Sequence, residues 1–248
     1  MNNGTYTNIT LLNGLVHKKI MPNSIAEKKI LELIGKDNIT PYINRIKGIV
    51  KLPNLCYYND ENEEIVQDFI DLPNIDEYLS KVDIFNDNVV KIFENLTKIY
   101  SNVKKCKDVT IDFNLLNFLV GKDELIYVDV VPPLFKNDIK KINKKEFESQ
   151  KQLFLNYELQ LKSMICYFLQ PFIIKNESKQ NLKLLYLKLK DILKTYGVAD
   201  DLSKKFNHIF SYRFEILIEY LFDKETENFS TRFMEIDIKN DLNKYKGC

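Results

Sequence analysis

The stretch Asp112-Phe-Asn-Leu-Leu-Asn117-Phe-Leu-Val-Gly-Lys-Asp-Glu-Leu-Ile-Tyr-Val-Asp129 places two aspartates and an asparagine around a short predicted hairpin. Its apolar runs, residues 118–120 and 125–128, have the composition of β-strands, and the Gly-Lys-Asp-Glu segment between them is typical of a turn. Folding back at this turn brings Asn117 beside Asp129. An amide and a carboxylate then face a gap of the size of a metal ion.

The order of these three polar residues resembles a known catalytic loop. An Asp followed five residues later by Asn, and then by a second Asp, is similar to the protein-kinase-like superfamily, and most of all to its aminoglycoside-phosphotransferase branch of small-molecule kinases. The resemblance implies that Asp112 orients and deprotonates an acceptor hydroxyl, and that Asn117 and Asp129 hold Mg²⁺. Thr110 stands where the family has His, and Val130 follows the metal-binding Asp where the family has Phe-Gly or Trp.

The same residues also have a simpler interpretation. In an ordinary amphipathic hairpin, Asp112 would cap a turn and Asp129 would only end a strand. Short motifs match by chance often enough that both interpretations stay open on these residues alone.

The first third of the chain has the element order of a kinase-like small lobe. Residues 6–12 and 15–21 are β-rich runs joined by Asn13-Gly14, a strong hairpin signal. A capping box, Ser24-Ile-Ala-Glu27, opens a predicted helix over residues 25–34. Residues 52–58 and 64–70 then predict a second strand pair. We therefore expect an α+β, two-lobed kinase-like fold, with residues 1–70 as a β-rich N-lobe and 71–248 as a mostly helical C-lobe.

By the same resemblance, Lys18 on the second strand would bind ATP phosphates, and Glu27 on the predicted helix would position Lys18. A lysine suits this role because its long stem carries a compact positive charge. Lys19 is a rival for it, since neighbouring strand residues point to opposite faces and the register is not fixed by the sequence. Glu32 is an alternative partner for the lysine.

Residues 65–79 resemble the family's hinge, which binds the adenine edge mainly through main-chain groups. Gln67, Asp68 and Phe69 are thus predicted to contact the nucleotide, with backbone more than with side chains. No G-x-G-x-x-G occurs among the seven glycines, so a glycine-rich phosphate loop is reduced or absent.

The rest of the chain predicts helices over residues 86–105, 144–172, 180–196 and 202–221. The first of them leads directly into the Asp112 loop. The link that follows Pro132-Pro133 is short, which leaves little room for a switchable activation loop and argues against a regulated protein kinase.

The amino-acid composition argues against several classes of protein. Basic and acidic residues are nearly balanced, 36 against 35, so no overall field favours nucleic acid or a membrane as partner. The four cysteines form no C-x-x-C pair and only two histidines are present, which argues against a zinc site and for reduced thiols in a cytoplasmic protein.

The sequence therefore predicts an ATP- and Mg²⁺-dependent phosphotransferase acting on a hydroxyl of a small molecule. The basic cluster of Lys140, Lys141, Lys144 and Lys145 favours a neutral or anionic acceptor, although such a run also suits a solvated helix face. Two other functions remain open: a nucleotide-binding pseudokinase that acts as an interaction module, and a kinase-like enzyme that transfers AMP.

Overall fold

Two β-hairpins near the start of the chain form one four-stranded antiparallel sheet. The computed structural model describes residues 7–20, 35–143 and 145–222, together with Phe229 and Phe233. The strands are β1 (Thr7–Leu12), β2 (Leu15–Ile20), β3 (Cys56–Asn59) and β4 (Glu64–Asp68), arranged in the order β1-β2-β4-β3. Both predicted strand pairs are confirmed, within a few residues at their ends.

The register of the sheet decides which side chains turn inward. Asn13 and Gly14 both have positive φ, 52° and 76°, as a tight turn between β1 and β2 requires. Val16, Lys18 and Ile20 alternate onto the buried face of β2, whereas Lys19 is exposed. Lys18 lies opposite Ile65 of β4, and Val16 lies opposite Gln67.

A helix that was not predicted from the sequence lies between the two hairpins. Helix α1 (Ile39–Ile46) buries Ile39, Tyr42, Ile43 and Ile46, which recur at helical spacing along one face. The predicted helix over residues 25–34, with Glu27 and Glu32, lies outside the described residues.

After β4 the chain is mainly helical. The helices are α2 (Ile75–Lys81), α3 (Asp87–Lys105), α4 (Lys136–Lys141), α5 (Glu148–Leu155), α6 (Tyr157–Ile174), α7 (Lys179–Thr195) and α8 (Ile209–Phe222). The single helix predicted over residues 144–172 is wrong, because Asn156 has an extended backbone that separates α5 from α6. The α+β class, with a small sheet followed by helices, is confirmed.

The predicted hairpin around Gly121 is present as β5 (Phe118–Val120) and β6 (Leu125–Tyr127). It is tied to the segment before α2 by a bond from the Val120 N–H to the carbonyl of Pro73, 2.9 Å. On its other side, the Tyr127 N–H donates to the carbonyl of Lys51, 2.8 Å. The hairpin is thus bonded to the chain segment that precedes β3 and to the segment that follows β4. In the part of the chain that the structure describes, no helix is long and apolar enough to cross a membrane.

Candidate active site

The segment that leads into Asp112 is held in place by buried polar contacts on Thr110. The Thr110 N–H donates to the carbonyl of Leu134, 3.0 Å, and its own carbonyl accepts from the hydroxyl of Tyr42, 2.8 Å. The Thr110 hydroxyl accepts from the side-chain amide of Gln160 on α6, 2.8 Å. These contacts fix the backbone two residues before Asp112. The kinase-like family that the sequence resembles has at this position a His that supports the loop.

Asp112 is a half-buried carboxylate with a strongly shifted protonation equilibrium. Burial, reinforced by the nearby charge of Asp129, raises the pKa of Asp112 to about 6. The Asn114 N–H, which donates to Asp112 Oδ1 at 3.0 Å, and the side chain of Asn117 act in the opposite direction by stabilising the charged form. A carboxylate with this pKa can release or accept a proton near neutral pH.

Lys18 crosses from the sheet to the residue that precedes Asp129. Its side chain is only 8% exposed, and its Nζ donates to the carbonyl of Val128 at 2.5 Å. Burial lowers the pKa of Lys18, and the charge of Asp129 counteracts that effect. Conversely, burial raises the pKa of Asp129, while Lys18 and the Val131 N–H favour its ionised form.

Asn117 is held by its main chain and lies close to Asp112. Its main-chain carbonyl accepts from the Val128 N–H, 2.9 Å, which closes the base of the hairpin beside Asp129. Its side chain lowers the pKa of the Asp112 carboxyl by favouring the ionised form. The amide oxygen is the atom of the Asn117 side chain that is suited to a metal ion.

The oxygen atoms of Asn117 and Asp129, which the sequence predicts as metal ligands, suit Mg²⁺ better than a transition metal. Within the described ranges, no group of three or more His, Cys, Asp and Glu residues could hold a metal ion by itself. One carboxylate, one amide oxygen and the phosphates of a bound nucleotide are typical Mg²⁺ ligands. When ionised, Asp112 and Asp129 outweigh Lys18 by one negative charge, which a divalent cation would offset.

The predicted hinge residues lie on β4 and just beyond it. Gln67 is buried, Asp68 is half-buried and Phe69 is exposed. The Asp68 N–H donates to the carbonyl of Leu55, and the Phe69 N–H to that of Gly14, both at 3.1 Å. These main-chain donors, which the resemblance predicts to contact adenine, are therefore already bonded.

Lys18, Asp112, Asn117 and Asp129 are brought together, whereas Lys19 points away from them. Lys140, Lys141 and Lys145 are exposed, and Lys141 pairs with Asp138 at 2.9 Å. Sequence reasoning missed the supporting residues Tyr42, Tyr127 and Gln160. Strand alternation could have placed Tyr127 inward, where its hydroxyl accepts from the Asp112 N–H at 3.3 Å. No comparable sequence pattern points to Gln160, because helix α6 is buried on nearly all sides and a polar residue in it does not mark a particular face.

The chain matches no model of a known protein family, and a search of curated proteins finds no similar sequence.

Proposed function

We propose that this protein is an ATP-dependent phosphotransferase that phosphorylates a hydroxyl group of a small molecule. The observation that carries the proposal is the approach of Lys18, on the sheet, to Val128 and Asp129, beside Asp112 and its partner Asn117. Lys18 and Val128 are 110 positions apart in the chain. A buried cation next to two carboxylates with raised pKa values is typical of a functional site rather than of a surface ion pair.

In this proposal each residue has a defined role. Asp112 accepts the proton of the acceptor hydroxyl as the oxygen attacks the γ-phosphorus of ATP. The bond from that phosphorus to the β–γ bridging oxygen breaks, and ADP leaves with the bond's electron pair. Lys18 releases the carbonyl of Val128 and binds a phosphate oxygen instead. The Asn117 side chain favours the ionised form of Asp112, which is the form that accepts the proton.

Asn117 and Asp129 would hold the metal. Bound Mg²⁺ would neutralise phosphate charge at the point where negative charge develops. Asp129 is suited to this role because a nearby cation would reverse the effect of burial on its carboxylate.

The proposal includes the finer architecture of a two-lobed kinase-like fold, with the lobes parting near Ile70. It is supported by the lysine-bearing strand next to the hinge strand, and by a helical part that begins directly after that hinge. The proposed acceptor is neutral or anionic, which rests on the exposed lysines at and after α4.

The test is the metal dependence of ATP binding, measured by calorimetry with Mg²⁺ and with EDTA. We expect strong dependence in the wild type, because the metal would neutralise charge between the phosphates and two carboxylates. Asp129→Ala should abolish it, whereas the control Asp123→Ala, at the exposed tip of the same hairpin, should retain it. Equal ATP affinity in Mg²⁺ and EDTA would overturn the proposal.

A further inference from the structure

Gln67 is a buried amide on an interior strand of the sheet whose oxygen has no hydrogen-bond partner among the described residues. Its side chain is 4% exposed, and the Oε1 atom is sealed from solvent. An unsatisfied buried acceptor is costly, and native proteins keep few of them. Among the described residues, Gln150 and Gln160 also have a buried oxygen without a partner, but both lie on helices, whereas Gln67 lies on the sheet that carries Lys18. A ligand at this sheet could bring the donor that the Gln67 oxygen lacks.

Gln67 shares its sheet face with Lys18. Lys18 lies opposite Ile65, and Gln67 is two residues further along the same strand, opposite Val16 on one side and Cys56 on the other. Such diagonal neighbours have Cα atoms roughly 7–8 Å apart and point the same way. From this face the Lys18 side chain extends toward Val128, so one ligand could contact the lysine with one end and Gln67 with the other.

The main chain near Gln67 offers few alternatives for reading a base. The N–H groups of Asp68 and Phe69 are bonded to Leu55 and Gly14, and the Leu72 N–H is bonded to the carbonyl of Ile70, 2.9 Å. Asp68 is held further, because its carboxylate accepts from the Leu55 N–H at 2.8 Å. These three N–H groups are thus occupied, whereas the side-chain oxygen of Gln67 has no partner among the described residues.

We propose that the side chain of Gln67 selects adenine, with its oxygen accepting from the 6-amino group and its amide nitrogen donating to a ring nitrogen. This inference rests on the proposed function, since it takes the phosphates of the same nucleotide to lie at Lys18. An amide pairs with adenine in this two-bond manner because the base edge offers a donor beside an acceptor. A purine without the amino group leaves the Gln67 oxygen unsatisfied.

The experiment compares ATP with the 5′-triphosphate of purine riboside, which lacks only the 6-amino group. Calorimetry with Mg²⁺ should show that the wild type binds ATP roughly tenfold or more tightly, as loss of one such pairing implies. Gln67→Leu should bring the two affinities close together, because it removes the amide at similar volume. Gln180→Leu, the same change at an exposed position of α7, should keep the wild-type ratio.

The outcomes separate this inference from the proposed function. Lys18→Ala should weaken both nucleotides equally and leave their ratio unchanged, since the lysine contacts phosphate. If the wild type binds ATP but Gln67→Leu keeps the full preference, Gln67 does not read the base and only this inference falls. If the wild type binds neither triphosphate, the proposed function fails and the inference falls with it. Thermal unfolding of Gln67→Leu should show a stability equal to or above that of the wild type, because a buried unsatisfied oxygen has been removed.

Discussion

At the scale of single residues, Lys18 on β2 has the proposed role that can be tested most simply. Lys18 is buried and bonded to Val128, whereas its neighbour Lys19 is exposed on the other face of the strand. We predict that Lys18→Ala weakens binding of Mg²⁺-ATP by roughly tenfold or more, because a buried charge beside the phosphates is lost. Calorimetry gives the affinity directly.

Lys19→Ala is the matched control for that experiment, since it removes the same side chain one residue away. It should change the affinity by less than about twofold, because strand alternation directs Lys19 away from the site. Equal losses from both variants would show general electrostatic attraction in place of a phosphate site on one face.

The raised pKa of Asp112 predicts an effect on stability. Its pKa is about 6 in the folded protein, against about 3.9 in an unfolded chain, so between these values the folded state binds more protons. Protonation of Asp112 should therefore raise the free energy of unfolding as the pH falls from 7 toward 4. Asp112→Asn should stabilise the protein at pH 7 by of the order of 1–3 kcal/mol, with the gain shrinking toward pH 4.

Urea unfolding between pH 4 and pH 7 measures this gain. Asp108→Asn is a control of opposite sign, because the Arg45 guanidinium, 2.7 Å away, lowers the pKa of Asp108. That variant should be less stable than the wild type across this pH range, because the stabilising effect of a lowered carboxyl pKa is lost mainly below about pH 4. An Asp112→Asn protein that is less stable than the wild type at pH 7 would contradict the prediction that burial of the ionised Asp112 carboxylate destabilises the fold.

At the scale of elements, helix α6 supports the loop that carries Asp112 through the bond from Gln160 to Thr110. We predict that Thr110→Val lowers the free energy of unfolding by about 1–3 kcal/mol, because one of the two buried N–H groups of the Gln160 amide loses its acceptor, while the other keeps its bond to the Phe154 carbonyl, 3.3 Å. Gln160→Leu together with Thr110→Val should cost less than the sum of the two single changes, since they remove one shared bond. Additive losses in urea unfolding would show that the bond does not couple α6 to the loop.

The elements differ in how far the sequence could predict them. The β5 and β6 hairpin was predictable because its apolar runs and its turn are local features. Helix α1 was also within reach, since Ile39, Tyr42, Ile43 and Ile46 follow a helical period, but Thr40 and Pro41 give its first turn the composition of a loop. The break at Asn156 was not predictable, because the apolar pattern continues across it.

For the candidate site, the polar residues could be predicted from the sequence, but the residues that hold them in place could not. Asp112, Asn117 and Asp129 could be grouped because a local hairpin joins them. The choice between Lys18 and Lys19 needed the pairing of β2 with β4, which lies nearly fifty residues further along the chain. The contacts of Tyr42 and Gln160 with Thr110 span 68 and 50 positions, and no local pattern encodes them.

At the scale of the whole molecule, the site depends on how the sheet meets the helical part. Lys18 comes from the sheet, Asp112 from the loop that follows α3, and Asp129 from the end of the hairpin beyond that loop. Two contacts at the end of β6 hold this arrangement: the Tyr127 N–H donates to Lys51, and the Val128 N–H donates to Asn117. A phosphotransferase needs such a junction, because one side must bind the nucleotide and the other must present the acceptor.

The most direct test of the account is the separation of ATP binding from ATP consumption in Asp112→Asn. Calorimetry and single-turnover kinetics should be run on the wild type and this variant, with slow ATP hydrolysis standing in for transfer until an acceptor is found. We predict nearly unchanged affinity for Mg²⁺-ATP and turnover lowered by roughly 10²-fold or more, because a base acts mainly in the transition state. Turnover as fast as the wild type would remove Asp112 from the mechanism, and a wild type that binds ATP without consuming it with any acceptor would indicate an interaction module instead of an enzyme.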